Sequence, residues 1–174
     1  VGLGYQKVVS EYNGARVEFT TVVPADGLGV IFNVSVENTG YSAKNDTLYF
    51  LIRPQANLTV HTSYGSADKD KDGRGIYYPH FAYLPPTDYG ALYFASEHKF
   101  SSYAVSEKDF CGEYGDFSSP EGVKSKKLPS KGTTFEDDYV AAVAIPCALA
   151  AGESRSFTFA LATGRNYEES RNTA

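Results

Sequence analysis

The chain has 174 residues, enough for one domain with a sizeable core, and its 42 % hydrophobic content is ordinary for a soluble globular fold. A formal net charge of −5 argues against a nucleic-acid or anionic-membrane surface, and no apolar run approaches the length of a membrane span. The chain contains no Met and begins at Val1, so it is expected to be a piece of a longer protein.

Strand patterns dominate from the start. Residues 5–12, "YQKVVSEY", lead into Asn13-Gly14, a strong two-residue hairpin signal. In the next segment Val17, Phe19, Thr21 and Val23 share one face while Arg16, Glu18 and Thr20 share the other. "VIFNVSVENT" alternates in the same way, with Val30, Phe32, Val34 and Val36 facing inward. "DTLYFLIRP" is apolar on both faces, as expected of a strand covered on both sides, and Pro54 ends it.

The stretch Ser66–Gly75, "SADKDKDGRG", opens like a calcium loop, with Asp68, Asp70 and Asp72 at alternate positions. The twelfth position is Pro79, which has no ligating side chain, and the flanks are β-branched and aromatic. A helix–loop–helix sensor is therefore excluded. A solvated loop neutralised by Lys69, Lys71 and Arg74 is the expectation, with a calcium site at the three aspartates as the alternative. No other cofactor is expected.

Two aromatic strand candidates follow, "GIYYPHFAYLPP" and "GALYFASE". Residues 97–135 are rich in Ser, Lys, Gly and Pro; they read as a long surface excursion with a short helix near Ser106–Tyr114. "DDYVAAVAIPCAL" is expected to be a strand despite its alanines, because Val140, Val143 and Ile145 are β-branched and Pro146 would break a helix. "AAGE" turns the chain, and "SRSFTFALATG" returns with Phe157, Phe159 and Leu161 on one face. "NYEESRNTA" has a helical charge pattern and no evident partner. Many strands separated by turn signals predict an all-β antiparallel sandwich or barrel.

The sequence carries no catalytic constellation of the familiar kinds. His61, His80 and His98 lack a short ligand spacing, and Glu136-Asp137-Asp138 reads as a solvated turn. Cys111 and Cys147 are far apart and read as reduced cytoplasmic thiols, with one disulfide as the alternative. The sequons at Asn33, Asn45 and Asn57 read as chance matches. The richest chemical feature is aromatic. Tyr77, Tyr78, His80 and Tyr83 form a candidate carbohydrate-binding strand, since tyrosine rings stack on sugars while their hydroxyls hydrogen-bond. The competing reading is that alternate members fill the core.

Several segments then fall into a familiar order. "GYQKVVSEYNGARVEFTTVVP", a strand ending in "NTG", "ALYFAS", "DFCGEYGDFSSPEGVKSKKL" and the closing "CALAAGESRSFTFALATG" together resemble the N-terminal domain of cellobiose-phosphorylase-like enzymes, glycoside hydrolase family 94. The Asp68–Gly73 segment lies outside that pattern. The resemblance implies a galactose-mutarotase-like antiparallel β-supersandwich over residues 1–165 and the start of a helical linker over 166–174. The linker would lead to an (α/α)₆ catalytic barrel outside this segment. It further implies an inverting disaccharide phosphorylase, in which phosphate attacks the anomeric carbon and a barrel Asp protonates the leaving oxygen. The sandwich would support the barrel and the interface of a homodimer. A stand-alone carbohydrate-binding module and a domain of a related glycoside hydrolase are the alternatives.

Overall fold

The computed structural model describes residues 4–25, 28–54, 62–64, 67–82, 91–132 and 139–174. Tyr83, Tyr89, His61, Asn57 and Glu136–Asp138 lie outside the described residues.

The first three strands are β1 (Tyr5–Tyr12), β2 (Ala15–Val22) and β3 (Gly29–Asn38), paired antiparallel in succession. Asn13 and Gly14 both take positive φ, 47° and 69°, as the tight hairpin requires. β4 (Lys44–Ile52) then crosses to a second layer. The short β5 (Thr62–Tyr64) pairs with β8 (His80–Ala82), while β6 (Asp68–Lys69) pairs with β7 (Gly75–Tyr78). The stretch "GIYYPHFA" is thus two strands in two sheets rather than one. Pro79 lies at the break, where a residue without an N–H would interrupt a continuous ladder.

β9 (Ala91–Ser96) is followed by β10 (Ser102–Ser106), which is buried throughout. The expected surface excursion therefore contains a core strand. Its two faces are both covered, so it shows no polar–apolar alternation to betray it. Ser106 ends β10 and caps α1 (Glu107–Cys111), its hydroxyl accepting from the Asp109 N–H. The short α2 (Glu121–Lys124) follows. The two longest strands, β11 (Tyr139–Leu149) and β12 (Ser154–Gly164), close the sandwich, and α3 (Tyr167–Thr173) ends the chain.

Among the described residues the larger sheet has the order β1-β2-β3-β12-β9-β7-β6, and the smaller has β10-β11-β4. The core between them holds Phe50, Phe94, Phe157, Phe159, Ile76 and Val143. Phe50 stacks on Phe159 with ring centroids 4.0 Å apart, and Phe19, Phe32 and Phe94 surround it. On the far side of the smaller sheet, Val140, Ala142 and Ala144 pack against Phe110, Cys111 and Leu128. This second core explains the continuous apolar run of β4 and the alanines of β11. Pro146 is exposed, beyond the end of the β10 pairing, where β11 has a neighbour on one side. Cys111 and Cys147 are buried free thiols in different cores, and burial pushes both thiols up.

Candidate functional site

On the side away from the core, β7, β9 and β12 carry a run of small residues beside Tyr77 and Tyr93. Because Ile76, Tyr78, Leu92, Phe94, Phe157 and Phe159 point inward, alternation places Gly75, Ala91, Ala95, Ala160, Ala162 and Gly164 outward. α3 lies across this shelf against β9 and β12. A Cβ at Gly164 would overlap the backbone of Ser170, so glycine is what lets the helix settle. Ser170 is itself fully buried, its hydroxyl bonded to the Asn166 and Tyr167 carbonyls.

Beside α3 stands the β6–β7 hairpin with its three aspartates. Asp70 organises the turn: its Oδ1 accepts from the N–H groups of Gly73, Arg74 and Gly75 at 2.8, 3.2 and 3.2 Å. Its Oδ2 accepts from the Tyr93 hydroxyl. The Tyr93 ring occupies the space above Gly75, where any side chain would collide with it. Burial, reinforced by the Asp70 hydrogen bond, holds the Tyr93 phenol well above its usual range. Asp68 turns the other way and accepts from the Tyr103 hydroxyl of β10 at 2.6 Å, tying the two sheets together. Burial and Asp68 likewise push the Tyr103 phenol upward. Asp72, at the tip, accepts from the Arg171 guanidinium of α3 at 2.5 Å.

Tyr77 and Tyr93 lie side by side on neighbouring strands, and Tyr167 of α3 meets both edge-on, with centroids 5.2 and 5.8 Å away. The result is a groove of about 460 Å³ between hairpin and helix, lined by Tyr77, Tyr167, Arg171, Glu168 and the Asp68–Asp72 segment. Its chemistry is that of recognition: aromatic rings beside charges of both signs, the mixture that suits a polyhydroxylated ligand or a polypeptide.

Among the described residues expected to bind carbohydrate, Tyr77 alone lines this groove. Tyr78 is fully buried, its hydroxyl donating to the Val140 carbonyl at 2.7 Å, so it belongs to the core and bridges the sheets. The strand period that turns Tyr77 outward turns Tyr78 inward. His80 pairs in β8 with Tyr64, in a two-stranded sheet separate from the larger one. Asp68, Asp70 and Asp72 share the hairpin but diverge to three different partners. Among the described residues no three metal-ligating side chains converge. Tyr167 and Arg171 escaped the sequence reading; an aromatic and a cation four residues apart on one helical face were their available signal.

A family model described as glycosyl hydrolase 94, supersandwich domain, matches residues 1–174. No curated protein matches by sequence. Among solved structures, a bacterial glucoamylase complexed with acarbose matches with a TM-score of 0.60 and 11 % identity, over 98 % of this chain and 25 % of that one. A polysaccharide lyase matches with a TM-score of 0.53 and 14 % identity, over 95 % and 22 %. A human-microbiome protein assigned as a kojibiose phosphorylase matches with a TM-score of 0.50 and 11 % identity, over 93 % and 18 %. The chain thus spans about a quarter or less of the length of each of these, and at such identities the likeness is one of fold.

Proposed function

Because the chain belongs to the glycosyl hydrolase 94 supersandwich family, we propose that it is the non-catalytic sandwich domain of a carbohydrate-active enzyme, an inverting disaccharide phosphorylase. The observation that carries this reading is the family match over residues 1–174. The kojibiose phosphorylase among its fold neighbours supports phosphorolysis in particular. In the proposed reaction a phosphate oxygen attacks the anomeric carbon, the glycosidic C–O bond breaks, and the leaving oxygen takes a proton from a carboxylic acid of the barrel. The sandwich contributes support. Val8 lies opposite Phe19 on the core-facing side of β1, yet Val8 and Tyr12 are 50 % and 85 % exposed. That uncovered apolar edge supports a contact with the barrel or with the second subunit of a homodimer. The free thiols at Cys111 and Cys147 support a reducing, cytoplasmic setting.

The test starts from the native gene product. Its intact mass is expected to be far above the 18.9 kDa of this chain. It should cleave a disaccharide only when inorganic phosphate is added, releasing a sugar 1-phosphate and a free sugar. Cleavage without phosphate would make the parent a hydrolase, a reading the glucoamylase neighbour favours. A mass equal to this chain, with sugar binding lost on Tyr77→Ala, would instead establish a stand-alone carbohydrate-binding module using the groove.

A further inference from the structure

We propose that the Asp68–Gly75 hairpin and the Tyr77 and Tyr93 rings form a docking seat for α3, with the Asp72–Arg171 ion pair as its salt-sensitive latch. The seat sets the direction in which the chain leaves the sandwich. The seat itself is a property of this chain; its use in aiming a catalytic domain rests on the function proposed above.

α3 has seven residues, and isolated helices shorter than about 12 residues are marginal in water. Its order must therefore come mainly from what it touches. The Asn166 side chain caps its first turn by accepting from the Glu169 N–H at 3.0 Å. Gly164 admits its backbone to the sheet. Tyr167 then wedges against Tyr77 and Tyr93, and Arg171, one turn further on, reaches Asp72.

The hairpin grips the helix twice. Asp70 holds Tyr93, and Tyr93 supports Tyr167 from below; Asp72, two residues on, holds Arg171. Arg171 and Tyr167 also face each other, with the guanidinium 6.0 Å from the ring centroid. Contacts run in a closed circuit from Asp70 through Tyr93, Tyr167 and Arg171 to Asp72. The turn can bear this load because three backbone N–H bonds to Asp70 and the positive φ of Gly73, 71°, fix its shape. Tyr93 is nearly fully buried, whereas Arg171 and Asp72 are 41 % and 61 % exposed. The aromatic part is accordingly shielded at Tyr93 and the ionic part is open to solvent, where molar salt cuts the screening length to about 3 Å.

Amide hydrogen exchange on this 174-residue chain tests the proposal, with β12 amides as the control for global folding. Arg171→Gln and Asp72→Asn should each lower protection of the α3 amides by about two- to fivefold, the range for an exposed ion pair. The double variant should lose no more than either single one, and the charge swap Asp72→Arg with Arg171→Asp should restore protection. Tyr167→Ala should lower α3 protection further while β12 stays protected. Molar salt should reproduce the Arg171→Gln effect in the unaltered chain and add nothing in that variant. Unchanged α3 protection in Asp72→Asn, or additive losses in the double variant, would overturn the latch. A latch confirmed here beside a parent that cleaves no disaccharide would refute the proposed function and leave the seat standing.

Discussion

At the scale of single residues, the aspartates of the hairpin show how position outweighs identity. Asp68, Asp70 and Asp72 alternate along five residues, yet one binds across to the smaller sheet, one folds its own turn and one reaches a helix about 100 residues later in the chain. Each carboxylate is thereby aimed at a different donor. The two phenols that donate to Asp68 and Asp70 report this arrangement. Tyr93 and Tyr103 are raised above the unfolded phenol value, so folding favours their protonated form. Their contribution to stability is complete below about pH 10 and is lost as pH rises toward the folded values. A phenolate absorbance titration should therefore show a late-ionising fraction that coincides with alkaline unfolding. Tyr93→Phe and Tyr103→Phe should each remove one phenol from that fraction. A titration identical to the parent's in both variants would refute the assignment.

At the scale of elements, the join between β3 and the β11–β12 hairpin rests on Asn38. It is fully buried at the end of β3, and its Nδ2 donates to the carbonyls of Ser42 and Ala150 at 2.8 and 3.0 Å, with a longer contact to Leu149. Its Oδ1 accepts from the Gly40 N–H at 3.1 Å. One side chain thereby satisfies the turn after β3 and the turn after β11. Asn38→Ala leaves these buried groups unpaired and should cost about 1–3 kcal/mol. Denaturant unfolding should show a lower midpoint with an unchanged slope. A midpoint equal to the parent's would mean that water replaces the amide at no cost. The elements with two-residue periodicity, β2 and β3, were legible in the sequence because one face of each is polar. β10 was not, because a strand buried on both faces and ended by serines has the composition of a loop. α3 was legible as a helix, but its seat was not, since the pairing of β7 with β9 sets Tyr77 beside Tyr93 and α3 then lays Tyr167 against both.

At the scale of the whole molecule, stability depends on the aromatic stack between the sheets. Phe50 of β4 touches rings from β2, β3, β9 and β12, so it is where the smaller sheet is pinned to the larger. Phe50→Ala should cost about 3–5 kcal/mol through lost burial and the cavity left behind. Unfolding followed by near-ultraviolet and far-ultraviolet signals should stay coincident. A loss below about 1 kcal/mol would show that the sheets are held elsewhere.

Local pattern alone established the class of this protein: an antiparallel all-β sandwich, the hairpin at Asn13-Gly14, the strand character of residues 139–149 and the family to which they belong. These follow from local rules, since side-chain period, turn geometry and β-branching act over a few neighbouring residues. Long-range packing put Tyr77 on a groove and Tyr78 in the core, and gave the aspartates three separate contacts. Only it brought Arg171 to Asp72 across 99 positions of chain. Those outcomes depend on sheet register and on which strands become neighbours, and both are settled by the packing of the whole core.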